Sequence, residues 1–161
     1  MVTHVRRPTV ARRARRKLVW STLQFDIVAL AAGAKKTTNL FSPALPNTLG
    51  MTVMRTHLRI QIPAVAVGDF STVGLIIGRT TDVAANTPDP SGNEGLDWYY
   101  FNDFWPSANG AAINTVTVFD IDVRAKRKVE EIEQTPLMVV RNNNAAAATY
   151  HGLVRTLLAL P

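Results

Sequence analysis

The segment "MRTHLRIQIP" (residues 54–63) carries the clearest structural pattern in this chain of 161 residues. Its apolar side chains alternate with polar ones and fall on one face: Met54, Leu58, Ile60 and Ile62. The polar set falls on the other face: Arg55, His57, Arg59 and Gln61. A period of two residues is typical of a half-buried β-strand. Pro63 is expected to end the strand because proline donates no ladder hydrogen bond.

The same pattern predicts further strands on both sides of this segment. Alternation in residues 21–27 places Leu23, Phe25 and Ile27 on one face. A short apolar run in residues 71–80 indicates a strand buried on both faces. Strands are also predicted for residues 114–128, 135–142 and 149–160. Turns or loops are predicted for residues 31–39, 41–50, 87–95 and 142–148 because Gly, Pro, Asn and Ser cluster there.

Two of these segments allow more than one local structure. In residues 114–128, Val116 and Val118 share one phase whereas Phe119, Ile121 and Val123 share the other, which predicts a β-bulge between Val118 and Phe119. Residues 149–160 could form a helix, but a glycine and two β-branched residues favour a strand.

The number of strands determines the fold class. Seven or eight strands are separated by turn signals, and the only other helical candidate, residues 123–135, is explained equally well as a strand end followed by a turn. Such a succession is typical of an all-β protein with a sandwich or barrel. We predict an antiparallel β-sandwich.

The N-terminal stretch differs from the rest in charge. Residues 1–17, here called the basic arm, carry seven basic side chains and no acidic one: Arg6, Arg7, Arg12, Arg13, Arg15, Arg16 and Lys17. The whole chain has 18 basic and 12 acidic residues, so residues 18–161, here called the body, hold 11 basic against 12 acidic ones. Side chains of this kind bind phosphates and release counterions. The arm therefore predicts sequence-independent binding of nucleic acid.

Three other interpretations of the basic arm remain open. A mitochondrial transit peptide is also rich in arginine, but it is usually rich in serine, and Pro8 would interrupt its helix. A nuclear-localisation signal would look similar and is compatible with nucleic-acid binding. A solvated run of charge is the third, although the basic residues clustered in residues 12–17 repel one another without an anionic partner.

The sequence carries little indication of a catalytic or metal-binding site. The sequence has no cysteine, and its three histidines are far apart. It contains none of the common nucleotide-binding, hydrolase or zinc-protease motifs. We therefore predict a protein that is not an enzyme and that needs no cofactor. No apolar run reaches the length of a membrane-spanning helix, so no membrane partner is expected.

Asp120 and Asp122 are the best-paired carboxylates and the main metal-ligand candidates; a second group of oxygen ligands lies in residues 82–97, but its spacing does not match the EF-hand pattern. At positions i and i+2, Asp120 and Asp122 share one face of a strand. They would suit a calcium ion, or a salt bridge to an arginine on a neighbouring strand or subunit. Ordinary alternation on a solvent-facing strand explains them as well, so we predict no metal site.

An aromatic cluster is the main candidate for contacts between subunits. Residues 96–106 hold six of the chain's twelve aromatic side chains, together with two aspartates and no basic residue. The acidic residues disfavour a nucleic-acid groove. Core packing or a subunit interface fits better; the interface candidates are Trp98, Tyr99, Phe101 and Trp105.

Residues 124–133 combine a basic block with an acidic one. These blocks could pair head-to-tail between copies of the chain, or they could form a solvated strand end.

The basic arm on a nearly neutral β-body without a catalytic motif resembles the small jelly-roll coat proteins of non-enveloped viruses. The resemblance implies an eight-stranded jelly roll and a large homo-oligomer that self-assembles as a capsid. It also implies an arm that contacts the packaged genome, and location in a virion assembled inside the host cell. The alternatives are a non-viral nucleic-acid-binding module of ribosomal or nucleoid type, and a phage head-decoration or tail component.

Overall fold

A computed structural model describes residues 16–41, 48–64, 66–79, 97–106 and 115–161. Within these ranges all helical or strand structure is β-strand, which confirms the all-β fold. The described residues form eight strands: β1 (Leu18–Leu30), β2 (Lys35–Asn39), β3 (Thr52–Ala64), β4 (Ser71–Arg79), β5 (Asp97–Phe104), β6 (Thr115–Lys128), β7 (Gln134–Asn142) and β8 (Ala148–Ala159).

The strands form two antiparallel sheets of four. The first sheet has the order β1-β8-β3-β6 and the second has the order β2-β7-β4-β5. The antiparallel sandwich is therefore confirmed. The pairs β1–β8, β2–β7, β3–β6 and β4–β5 join the two halves of the chain in reverse order. This arrangement is consistent with an eight-stranded jelly roll.

The hydrophobic core lies between the inner faces of the two sheets. The alternation that predicted β3 is realised, because Leu58, Ile60 and Ile62 are fully buried. β4 is buried from Ser71 to Gly78, as its continuous apolar run predicted. The core is built from buried apolar side chains of both sheets, which include Phe25, Ile27, Leu58, Ile60, Ile62, Val73, Leu75, Met138, Val140 and Tyr150.

Two tyrosine hydroxyls connect the sheets through this core. The hydroxyl of Tyr150 in β8 lies 2.9 Å from Oγ of Ser71 in β4. The hydroxyl of Tyr99 in β5 lies 3.5 Å from Oγ1 of Thr56 in β3. Burial raises the pKa of Tyr150 to about 12 and also raises the pKa of Tyr99. Both phenols therefore stay neutral at neutral pH, as hydrogen-bonding groups in a core must.

The loop predicted for residues 31–39 is wrong in its second half. Lys35–Asn39 forms β2, an edge strand that pairs with β7 from Lys35↔Arg141 to Asn39↔Leu137. The sequence of β2, KKTTN, has no apolar residue. No alternation can therefore indicate a strand there, and only pairing with β7 creates it.

The bulge predicted between Val118 and Phe119 is also wrong. Val118 pairs with Gln61 and Phe119 pairs with Ile60, without interruption. Val116 and Val118 are exposed residues of the outer face, 61% and 42% accessible, so no change of phase occurs.

The register of β3 shifts elsewhere, between Val53 and Arg55. Met54 lies at this irregularity and is only half-buried, so it does not join the core face as the alternation predicted. β3 also continues one residue beyond Pro63, to Ala64.

Candidate nucleic-acid interface

The outer face of the first sheet carries side chains in rows that cross all four strands. The pairing of β1 with β8, β8 with β3 and β3 with β6 fixes these rows. We call the two rows that follow the Leu18 row at the start of β1 the cationic rows: Trp20, Leu157, Arg55 and Arg124, then Thr22, Arg155, His57 and Asp122. The next two rows are Gln24, Leu153, Arg59 and Asp120, then Asp26, His151, Gln61 and Val118.

Charge is unevenly distributed along this face. The cationic rows hold three arginines and one aspartate, whereas the next two rows hold one arginine and two aspartates. The positive end is the end where Lys17 leads into β1. The nearly neutral total charge of the body conceals this separation, because it averages over residues that the fold sorts into different places.

An ion pair links β3 and β6 within the cationic rows. Nε and Nη2 of Arg55 donate to the two carboxylate oxygens of Asp122 at 2.6 and 2.5 Å. This hydrogen bonding raises the pKa of Arg55 and lowers the pKa of Asp122. One row further, Nε of Arg59 lies 3.9 Å from Asp120. The two aspartates thus face arginines of the neighbouring strand. This agrees with the salt bridge that was one interpretation of their sequence pattern.

Among the described residues, no three His, Cys, Asp or Glu side chains come together as metal ligands would. Nor do those residues include a helix with the length and hydropathy needed to cross a membrane.

A cleft opens beside Trp20 on the cationic rows. The Trp20 side chain is 44% exposed. The guanidinium carbon of Arg155 lies over its ring, 5.1 Å from the centroid, which is a cation–π distance. Trp20 lines an open cleft of about 250 Å³ together with Arg55, His57, Asp122 and Arg155. This site combines an accessible aromatic ring with several basic groups.

Arg16 and Lys17 are the two residues of the basic arm that the structure describes. Both are exposed. Nη1 of Arg16 donates to Oγ1 of Thr52 at 3.2 Å, and the amide of Leu160 donates to the carbonyl of Lys17 at 2.8 Å. Thr52 pairs with Lys128, so Arg16 reaches the basic end of β6. The other predicted nucleic-acid-binding residues lie outside the described residues: Arg6, Arg7, Arg12, Arg13 and Arg15.

The predicted interface aromatics occupy different environments. Tyr99 packs against the core and approaches Thr56 of the opposite sheet. Trp105 is 48% exposed and stacks on Phe70 with ring centroids 4.3 Å apart. Trp105 is accessible to a second subunit, whereas Tyr99 already has partners in its own chain.

The other two interface candidates lie on the outer face of the second sheet. Trp98 covers Gly74 of β4 so closely that a Cβ on this glycine would overlap the indole ring. Phe101 pairs with Gly74 and is half-buried. Trp98 packs on three fully or almost fully buried residues: Ile76, Leu137 and Val139. We call Trp98 and these three residues the tryptophan patch.

The acidic block of residues 124–133 has a partner within the chain. Nη2 of Arg79 lies 2.6 Å from Glu131, and Nη1 of Arg79 lies 3.5 Å from Glu133. Two of its three glutamates are therefore engaged at the end of β4. The basic block of the same stretch extends the positive end of the first sheet through Lys126, Arg127 and Lys128, all of which are exposed.

Sequence reasoning missed Trp20 and the arginines of the body as one site. They come from four strands, and only the register of the sheet brings them together. The available signal was the alternating R-T-H-L-R of β3, which places basic side chains on one face.

Comparison with known proteins bears on the fold. No protein-family model and no curated protein matches the sequence. Among solved structures, the chain is similar to the capsid asymmetric unit of cyanophage Pam1, with 14% identity, a TM-score of 0.49, and coverage of 98% of this chain and 94% of that one. It is similar to the tobacco streak virus coat protein, with 15% identity, a TM-score of 0.48, and coverage of 95% and 92%. It is also similar to a pilus protein of Bacillus endospore appendages, with 10% identity, a TM-score of 0.44, and coverage of 99% and 100%. Viral capsid proteins are thus among the structures that this chain resembles, and at these identities the likeness concerns the fold alone.

Proposed function

We propose that this chain is a capsid protein of a virus or phage. In this proposal the body self-assembles into a shell of many copies, and the basic arm contacts the packaged genome. Its location is the virion, assembled inside the host cell. The role is structural, with no catalytic step and no cofactor.

The observation that carries this proposal is the position of the positive charge. The seven basic residues of the arm precede β1 in the sequence, and Trp20 and Thr22 near the start of β1 belong to the cationic rows. A phosphate backbone held by the arm would therefore meet further arginines on the body. Each neutralised phosphate adds to affinity through counterion release, so contiguous basic sites act on one polyanion.

Accessible apolar groups support the assembly part of the proposal. Trp105 is the most exposed of the described aromatic residues of β5 and its C-terminal end, and it lies on Phe70 at an end of the sandwich. Aromatic residues are enriched where subunits meet. We propose Trp105 as a subunit contact, with the exposed part of Trp98 and Phe101 on the neighbouring outer face.

A free nucleic-acid-binding module is the second candidate. Such a module needs positive charge on its body, and the cationic rows provide it. The two candidates agree on nucleic-acid binding and differ on assembly, so assembly separates them.

The first experiment tests assembly with the purified recombinant chain. Electron microscopy and sedimentation velocity would be run with and without a single-stranded oligonucleotide. Closed particles of uniform size are expected. A soluble species that binds the oligonucleotide but never forms particles would refute the capsid proposal and favour the free module.

The second experiment tests the arm by its salt dependence. If all seven basic residues engage single strands, the logarithm of affinity should fall against the logarithm of salt concentration with a slope of about −5, from roughly −0.7 per contact. Changing the five arginines at positions 6, 7, 12, 13 and 15 to glutamine should make the slope shallower by about 3.5 by the same factor, whatever the arginines of the body contribute. The matched control is a variant with residues 1–17 shuffled, which should keep the parent slope because phosphate contact needs no register. An unchanged slope after neutralisation would contradict the proposed role of the arm.

A further inference from the structure

We propose that Trp20 and its neighbouring arginines form a stacking site for a base of single-stranded nucleic acid. This inference rests on the nucleic-acid contact of the proposed function and gives the body its own binding residue. The basic arm would hold the phosphates, and Trp20 would hold a base.

The Trp20 ring is accessible to a ligand. Trp20 is 44% exposed, although β1 has an inward-facing side where apolar residues such as Phe25 and Ile27 are buried. An indole in the outer row of a sheet leaves π-surface in contact with solvent. A base that stacks on it removes that surface from water, as occurs on single-strand-binding proteins.

Basic side chains lie beside the Trp20 ring. Arg155 lies over the indole at 5.1 Å, and the cleft beside it is also lined by Arg55 and His57. Alternation of aromatic and basic groups is the pattern of surfaces that bind single strands. The aromatic residues of β5 lack this pattern, because the sequence around them contains aspartates and no basic residue.

The one acidic side chain in the cleft does not oppose a phosphate strongly. Both carboxylate oxygens of Asp122 accept hydrogen bonds from Arg55. The charge of Asp122 is therefore matched locally by Arg55, while Arg155 and Arg124 add positive charge to the same two rows. The net charge of the two rows is therefore positive, which favours a negatively charged polymer as the partner and disfavours a basic protein.

The cleft lies close to the C-terminal end of the basic arm. Trp20 follows Lys17 by three residues, and Arg16 lies against Thr52 at the same end of the sheet. A single strand of nucleic acid bound by the last basic residues of the arm would therefore reach the cleft without crossing the two rows that hold Asp26 and Asp120. The cleft is open and small, about 250 Å³, which suits one flat group that enters from the side.

The test uses the fluorescence of Trp20 in the full chain. The chain has three tryptophans, so a Trp98→Phe and Trp105→Phe double variant leaves Trp20 as the only indole. The probes are a 20-nucleotide oligo(dT), inorganic polyphosphate of similar phosphate number, and poly-L-glutamate. We expect oligo(dT) to quench Trp20 and polyphosphate to bind without quenching it, because only the oligonucleotide has bases.

An affinity measurement keeps the test independent of that double variant. Stacking on an aromatic ring changes affinity by about 5- to 150-fold per base. Trp20→Ala in the otherwise native chain should therefore weaken oligo(dT) binding at least about fivefold and leave polyphosphate binding unchanged, and Trp20→Phe should restore most of the loss. Val28→Ala is the matched control, since Val28 is an exposed apolar residue of the same strand, 73% accessible.

Each failure has its own signature. Oligo(dT) that binds with no quenching and no loss on Trp20→Ala would overturn the stacking site and leave the role of the arm intact. Quenching by poly-L-glutamate but not by oligo(dT) would overturn it in favour of an acidic protein partner. If neither oligo(dT) nor polyphosphate binds the full chain, the nucleic-acid part of the proposed function fails together with this site.

Discussion

The outer faces of the two sheets use the same residue type in opposite ways. On the first sheet, Trp20 stands exposed beside Arg155 at the edge of a charged face. On the second sheet, the Trp98 ring lies against Gly74 and packs on the apolar residues of the tryptophan patch. Both tryptophans come from outer positions of edge strands. What differs is the neighbouring strand, which offers arginine in one case and glycine in the other.

This difference separates the proposed binding role of Trp20 from the contribution of Trp98 to the stability of the fold. A tryptophan on glycine buries its ring against the backbone and contributes hydrophobic and packing energy. A tryptophan beside arginine keeps its ring accessible and contributes little to folding. The two faces should therefore respond differently to the same substitution.

The largest expected effect is on the tryptophan patch. Trp98→Ala would expose Ile76 and Leu137 and leave a gap over Gly74, so we expect a loss of about 3 kcal/mol in the free energy of unfolding. Trp20→Ala should change it by about 1 kcal/mol or less, because almost half of the side chain is already exposed to water. Urea denaturation of both variants measures this directly. Equal losses would mean that the two outer faces do not differ as described.

A smaller effect is expected at the glycines beneath aromatic rings. In β8, a Cβ on Gly152 would lie 2.6 Å from the backbone carbonyl oxygen of Arg59 and would also strike the ring of Phe25. A backbone atom cannot rotate away, so Gly152→Ala should cost about 2 kcal/mol.

Gly74→Ala sharpens the same comparison on the second sheet. There the added methyl group meets only the Trp98 ring among its nearest neighbours, and the ring can shift outward. We expect a cost of about 1 kcal/mol, accompanied by a change in Trp98 fluorescence. Thermal or urea unfolding of both glycine variants would measure the order; a larger loss for Gly74→Ala than for Gly152→Ala would contradict it.

The smallest effect is expected for the ion pair of the cationic rows, and it depends on pH. Because Arg55 lowers the pKa of Asp122 in the folded chain from its usual 3.8, the pair stabilises the fold above that value. This contribution is lost as pH falls through the lower folded pKa. Asp122→Asn should therefore lower Tm slightly at pH 7, and the difference from the parent should close in acid.

Asp120→Asn provides the matched control for the ion pair. Asp120 lies on the same strand and faces Arg59 at the longer distance of 3.9 Å. Its substitution should change Tm less than Asp122→Asn does. A difference between Asp122→Asn and the parent that stays constant from pH 7 to pH 2 would contradict the pH dependence.

The interior strands were predictable because the order of apolar and polar residues in their sequences reflects which faces of the strand are buried. In β3 the alternation of Leu58, Ile60 and Ile62 reports a face buried against the opposite sheet, and the apolar run of β4 reports burial on both sides. β2 was not predictable, because KKTTN has no apolar residue to report its environment. The exposed Val116 and Val118 led to the wrong prediction of a β-bulge. Apolar residues on an outer face give the same sequence pattern as a change of phase within the strand.

The candidate site was partly predictable, and its basic arm was the visible part. Local charge density identifies seven basic residues without any knowledge of the fold. The cationic rows could not be seen in this way, because Trp20 and Arg155 are separated by most of the chain and meet only through the register of β1 on β8. Lateral position in a sheet is a tertiary property, which no single segment encodes.

The pairing of β1 with β8 has a consequence for biosynthesis. Leu18 pairs with Ala159, so β1 has to wait for the last strand to be translated before it gains its neighbour. At about 5–20 residues per second this interval is on the order of 10 s. β8 also separates β1 from β3, so the first sheet cannot close until then. Under the proposed function, the arm of a nascent chain would therefore be able to contact a polyanion before the cationic rows exist, and its contact would precede that of the body.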